Sequence, residues 1–313
     1  MKFLERFSAI ISDPGFLKGF LRLPEKSSVK EKGRGAIGLA LRNGAAILDE
    51  SSLEEIRVWI ISQQTMAGGF PDRGGDCDLY YTLFGFFLSD ALGIEMVLPM
   101  LREYTRTTSK KEDLTSIEFF CLAILYSSLL PGDALTREYR NRIKIMLRDK
   151  ELLSSGYTRF LICLSLLYLR DYISSWKALR SFGKSSHEIQ KPCPAIAAEQ
   201  ILSYLKSGSK GCRPGEIMAF YRGNGGFAAL LGAPSPDLLS TAVSLFALGF
   251  TGYDLRLLKP DCLRFVENCY KEGGFMSSKN DTQPDIEYTF YGLLALGALN
   301  SSGRGSENKK ELR

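Results

Sequence analysis

A tripeptide that returns three times constrains this chain more than any other feature. Gly68-Gly69-Phe70, Gly225-Gly226-Phe227 and Gly273-Gly274-Phe275 each lead through a polar loop to an Asp followed four residues later by a Thr. The three pairs are Asp78 and Thr82, Asp237 and Thr241, and Asp285 and Thr289, each followed by a long apolar run. Self-similarity of this kind marks units that cannot bury their apolar face alone and must stack on one another. Phe227 and Phe275 are 48 residues apart and Phe70 and Phe227 are 157 apart, so about three decayed copies fit between the first two. Apolar stretches at Thr115 to Leu130, Tyr157 to Leu169 and Pro194 to Leu205 fill those places without the GGF.

Between the apolar runs lie segments of another kind. Leu53 to Gln64, Ile94 to Arg106, Arg137 to Arg148, Pro214 to Tyr221 and Pro260 to Tyr270 carry apolar residues three and four apart with charges between them. That is the stripe of an amphipathic helix. Alternation of apolar and amphipathic helices is what an inner and an outer layer produce, so the pattern predicts an all-α chain of about six helical hairpins curled into a barrel. In this reading Gly-Gly turns the chain at the end of an outer helix, and Asp caps the inner helix that follows.

Charge and composition set the remaining bounds. The 313 residues carry 40 Lys+Arg and 35 Asp+Glu, but residues 1–35 hold eight basic and four acidic side chains and residues 301–313 hold four and two. The body over residues 36–300 is therefore near neutral, which argues against a nucleic-acid surface, where clustered cations are needed. Three regions follow: a basic amphipathic arm over 1–35, a repeat domain over 36–300 and a polar tail over 301–313. The arm places Phe3, Phe7, Ile10 and Ile11 on one helical face, followed by Phe16, Leu17, Phe20 and Leu21. Two readings stand: packing on the outside of the barrel, or peripheral docking on an anionic membrane. No h-region and no run of 18 apolar residues occurs, so neither a signal peptide nor a spanning helix is expected. The seven cysteines form no CxxC pair and read as buried thiols in a reducing, cytoplasmic setting. His187 is the one histidine, which excludes HExxH and any two-histidine metal site within the chain. Gly33 to Gly38 matches G-x-G-x-x-G but follows a charged stretch rather than a strand, and reads as a linker into the first helix.

GGF followed by D-x-x-Y-T and an apolar helix resembles the repeat of the α/α-toroid superfamily, comprising protein prenyltransferase β subunits and class II terpene cyclases. The likeness covers roughly residues 36–300. Within it, Gly69 to Arg73 and Asp78 to Gly85 look most like the β subunit of the Rab geranylgeranyltransferase type. The resemblance implies an α/α toroid with a central cavity for an isoprenoid or similar lipid, and a helical partner subunit as in that family. Its zinc positions fall on Asp237, Leu239 and Tyr288, a set that cannot bind zinc as the family does, so no metal and no cofactor is expected. Its diphosphate positions give Arg73 a match and put Asp76 where a Lys belongs, with Lys279 nearby in the third repeat. A guanidinium holds two phosphate oxygens at once, which makes Arg73 a candidate anion contact, the alternative being a loop Arg paired with Asp72 or Asp76. Asp76-Cys77-Asp78-Leu79 lacks the last acid of the cyclase motif D-x-D-D. The resemblance thus offers Asp76, Asp78 and Asp285 as catalytic acids, with helix capping as the alternative role. It offers Arg73, Tyr81, Tyr288, Asp237 and Lys279 as ligand contacts. Aromatics at the starts of inner helices, among them Tyr80, Phe84, Tyr157 and Tyr291, either line a lipid cavity or pack a filled core. The expected function is isoprenoid binding with zinc-independent transfer or cyclisation, and the alternative is a non-catalytic toroid that binds a lipid or a protein.

Overall fold

The computed structural model describes residues 35–181, 191–223 and 225–301. The arm, apart from Gly35, lies outside the described residues, as do His187 and the tail from residue 302.

Among the described residues thirteen α-helices dominate, with three two-residue β-hairpins between them. Helix α1 (Ala36–Ala45) precedes six pairs: α2 (Glu50–Ser62) with α3 (Leu79–Leu92), α4 (Leu98–Thr108) with α5 (Ser116–Leu129), and α6 (Leu135–Met146) with α7 (Gly156–Tyr168). The others are α8 (Tyr172–Ser181) with α9 (Cys193–Ser207), α10 (Pro214–Met218) with α11 (Leu238–Phe250), and α12 (Lys259–Glu267) with α13 (Ile286–Ser301). The two members of each pair touch.

Burial separates the two kinds of helix as the periodicity predicts. Helix α5 buries every residue from Phe119 to Tyr126, while α6 buries Tyr139 and Ile143 and α2 buries Ile56 and Ile60, single stripes four residues apart. The second members touch in chain order from α3 through α5, α7, α9 and α11 to α13, and α13 touches α3. Helix α1 packs against α13 so closely that a Cβ on Gly44 or Gly297 would strike the other helix's backbone carbonyl.

The GGF units explain how the first members meet. Gly68, Gly225 and Gly273 have φ of +92°, +98° and +86°, a region glycine enters without a Cβ penalty. At each position a side chain would also run into a carbonyl of another first member: Met100 in α4, Asp261 in α12 and Glu55 in α2 respectively. The last of these joins the unit after α12 back to α2, 218 residues earlier.

Each Phe of the motif is buried to 2% exposure or less, worth about 1.5–3 kcal/mol apiece. Each Phe amide donates to the motif Thr, Phe70 to Thr82 Oγ1 at 3.0 Å, Phe227 to Thr241 at 2.9 Å and Phe275 to Thr289 at 3.1 Å. The Gly-Gly turn is thereby stitched to the first turn of the following helix. Phe70 pairs with Asp78 between β1 (Phe70–Pro71) and β2 (Cys77–Asp78). Phe227 and Phe275 form the equivalent bridges to Asp237 and Asp285. They also pair upstream, β3 (Tyr221–Arg222) with β4 (Gly226–Phe227) and β5 (Tyr270–Lys271) with β6 (Gly274–Phe275).

Two elements depart from the sequence reading. Helix α8 was not expected: Asp171 caps it through Ser174 N at 3.0 Å directly after Arg170, whose φ of +58° ends α7. Helix α10 spans five residues because Tyr221 leaves the helical path to pair with Phe227. Five of the seven cysteines are buried, whereas Cys77 and Cys212 are partly exposed. No helix of the described residues is long and apolar enough to cross a membrane.

Candidate functional site

The motif aspartates cap helices, which fixes what they can do. Asp78 Oδ1 accepts from Tyr80 N at 2.7 Å and Tyr81 N at 2.9 Å, Asp237 Oδ1 from Ser240 N at 2.7 Å, and Asp285 Oδ1 from Tyr288 N at 2.8 Å. A carboxylate so placed satisfies orphan amides of the first turn. It also leaves the residue two positions later partly exposed in all three units: Tyr80, Leu239 and Glu287.

Tyr80 and Glu287 meet. Tyr80 Oη donates to Glu287 Oε1 at 3.1 Å, joining α3 to α13. The Tyr81, Tyr157 and Tyr291 phenols lie close enough to the same carboxylate to feel its charge. A phenol has a single donor position, and Tyr80 spends it on Glu287. Tyr81, Tyr157 and the Glu287 carboxylate keep spare capacity.

Burial pushes the Glu287 carboxyl up to about 7, opposed by its hydrogen bond from Tyr80 and reinforced by the Asp285 charge. At neutral pH it therefore exchanges a proton readily. Burial raises the phenols Tyr80, Tyr81 and Tyr157 as well, so they stay protonated. Beneath this polar layer rings pack on rings: Phe84 lies 4.7 Å from Phe290 and 5.5 Å from Tyr291, and Phe87 lies 5.9 Å from Tyr168. The aromatics between α3, α7 and α13 thus pack as core.

Arg73 sits beside the cluster, in the β1–β2 turn. Its Nε bonds Asp285 Oδ2 at 2.5 Å, its Nη2 bonds Asp281 Oδ2 at 2.7 Å and Nη1 bonds Asp281 Oδ1 at 3.2 Å, with Gln283 O at 3.3 Å completing the set. Its guanidinium carbon lies 5.3 Å from the Tyr288 ring centre. In the alternative reading of Arg73 as a paired loop residue, the partners are thus Asp281 and Asp285 rather than Asp72 or Asp76. The Asp72 carboxylate is taken up within its own turn by Gly74 N at 2.8 Å, which leaves the partners to the last repeat. Arg73 also holds the Asp281 carboxyl far below its usual range, helped by Ser277. The Asp285 carboxyl is raised by burial, against the opposing pull of the Tyr288 amide and Arg73.

Of the residues singled out in the sequence, Arg73, Tyr81, Asp285 and Tyr288 come together around Glu287. Asp78 adjoins them as the cap of α3. Asp237 caps α11, and its charge reaches Tyr288. Asp76 is exposed in the β1–β2 turn, where its amide donates to Asp72 Oδ1 at 3.3 Å. Lys279 is exposed in the loop before α13. Glu287 was not among the sequence candidates, and Tyr80, Tyr157 and Tyr291 stood there only as aromatics of a cavity or a core, although the position two after the motif Asp was the place to look.

Among the described residues no three His, Cys, Asp or Glu side chains are grouped to hold a metal ion. At the positions where the resemblance expects zinc ligands, Leu239 offers no lone pair. No family model matches this chain, and no curated protein matches it.

Proposed function

We propose that the chain is an α/α toroid of the prenyltransferase and terpene-cyclase kind that binds an isoprenoid or similar apolar ligand, with the ligand's polar end at the Glu287–tyrosine cluster. One observation carries the reading: three helix starts far apart in sequence converge on a half-buried carboxylate that the Tyr80 phenol hydrogen-bonds and the Tyr81 and Tyr157 phenols approach. A cluster of convergent polar groups above an apolar wall is the usual form of a small-molecule site. The closed succession of α3, α5, α7, α9, α11 and α13 supports the toroid. The apolar tail of the ligand runs along exposed Ile117 and partly exposed Phe160, Ile196, Leu239 and Val243, near the starts of α5, α7, α9 and α11. Glu287 is the proton donor and acceptor for zinc-independent transfer or cyclisation, and Tyr80 positions it.

A second reading, a toroid that binds without catalysis, draws on the Arg73 contacts: its guanidinium is occupied by two carboxylates, which leaves the expected diphosphate grip engaged elsewhere. Mass spectrometry of apolar molecules carried through purification tests ligand binding, with an isoprenoid expected. Absence of any apolar ligand, together with no uptake of added isoprenoids, contradicts it. Turnover of a bound isoprenoid that is abolished in Glu287→Gln separates the first reading from the second.

A further inference from the structure

The charges around the cluster decide which kind of polar end it accepts. Acting on its phenols are the carboxylates Asp237, Asp285 and Glu287 and one cation, Arg73. Arg73 is already bound by Asp281 and Asp285, so the surroundings are negative on balance. A diphosphate entering here would face carboxylates at close range and would have to strip Arg73 from two partners. A cation would compete with Arg73, whose guanidinium carbon already lies 5.3 Å from the Tyr288 ring centre. What the site presents instead is hydroxyl and carboxyl oxygen. Tyr80 spends its proton on Glu287, whereas Tyr81 is the less enclosed of the two and lies near the same carboxylate.

Building on the function proposed above, we infer that the ligand carries an uncharged oxygen end, a primary alcohol of the prenol class, seated between the Tyr81 hydroxyl and the Glu287 carboxyl, and that prenyl diphosphates are disfavoured. An alcohol donates one hydrogen bond and accepts two, which matches a phenol that donates and a carboxylate that accepts. Its carbon chain leaves the polar layer toward Leu239 and Val243. The selectivity therefore comes from the chain's own carboxylates rather than from any steric filter.

Calorimetric titration of the full chain with farnesol and with farnesyl diphosphate tests this. Farnesol is expected to bind at least ten-fold more tightly than the diphosphate. Glu287→Gln should weaken farnesol about ten-fold or more, the range of a hydrogen bond to a charged group, and Tyr81→Phe about two- to ten-fold, the range of a neutral one. Tyr270→Phe, which removes a bond to Glu55 on the outer side of α2, should leave both titrations unchanged. Diphosphate binding as tight as or tighter than farnesol overturns the inference and leaves ligand binding intact. Farnesol affinity unmoved by Tyr81→Phe and Glu287→Gln places the alcohol wrongly and overturns it too. Failure of the wild type to bind either ligand removes the proposed function, and this inference with it.

Discussion

The second repeat and the third share one frame and differ in what they put on it. In both, a Gly at positive φ abuts another helix, a buried Phe amide bonds a Thr, and an Asp caps the following helix. Two residues after the cap the second repeat has Leu239 and the third has Glu287; three residues after, Ser240 and Tyr288. Their arginines diverge as well. Arg222 occupies itself with carbonyls of its own unit, including Leu231 O at 2.6 Å and Ala233 O at 3.0 Å, whereas the cation beside the third repeat, Arg73, reaches it from the first. The frame is what folds, and the two positions after the cap are where chemistry is placed.

Breaking the frame should cost most, in either repeat alike. Gly225→Val and Gly273→Val each combine positive φ with collision against a backbone carbonyl or an adjacent side chain, so each should lose on the order of 3–5 kcal/mol in urea unfolding. A loss at only one of them would show that the two units are not equivalent.

The arginines come next. Arg73→Ala leaves Asp285, 8% exposed, without its guanidinium partner; because Arg73 itself is 39% exposed the loss should be about 2–4 kcal/mol, below that of a fully buried pair. Arg222→Ala removes neutral acceptor contacts only and should cost less, about 1–2 kcal/mol. Reversal of that order would contradict the assignment of Arg73 as the tie between first and last repeats.

Glu287 sharpens the contrast through pH. Its carboxyl is raised from 4.5 to about 7 on folding, so the native state holds a proton that the unfolded chain has released, and stability falls as pH rises from 4.5 to 7 and is level above. Glu287→Gln should remove that fall and gain about 3 kcal/mol at pH 8 while changing little at pH 4. Thermal unfolding across the pH range checks it, with a pH-independent gain as the contrary result. The smallest effect belongs to Lys279→Ala, exposed before α13, which should stay within about 0.5 kcal/mol.

How much of this was legible in the sequence follows from the same division. The frame could be read because its requirements are local: glycine for φ, Asp for a cap, Thr within one helical turn, and apolar runs between. The six pairs follow from that, except that α8 hid in Tyr172 to Ser181, where its buried face consists partly of Ser174, Ser175 and Ala178 and gives weak periodicity. The site was only half legible. Tyr81, Tyr288 and Arg73 stood out by position in the repeat. Glu287 did not, because its phenol partner Tyr80 lies 207 positions away and Tyr157, which feels its charge, 130 positions away. The partners of Arg73 were missed for the same reason, since Asp281 and Asp285 are brought to it by the meeting of α13 with α3.

The central claim, that ligand meets the chain where the repeats differ rather than where they agree, is open to direct observation. With tyrosines labelled at the phenolic carbon and assigned by Tyr→Phe variants, NMR spectra before and after addition of farnesol report each ring separately. The account predicts shifts at Tyr81, Tyr80 and Tyr157, with Tyr221 and Tyr270 of the repeated frame unmoved. Shifts confined to Tyr221 and Tyr270, or a spectrum that farnesol leaves unchanged throughout, would contradict it.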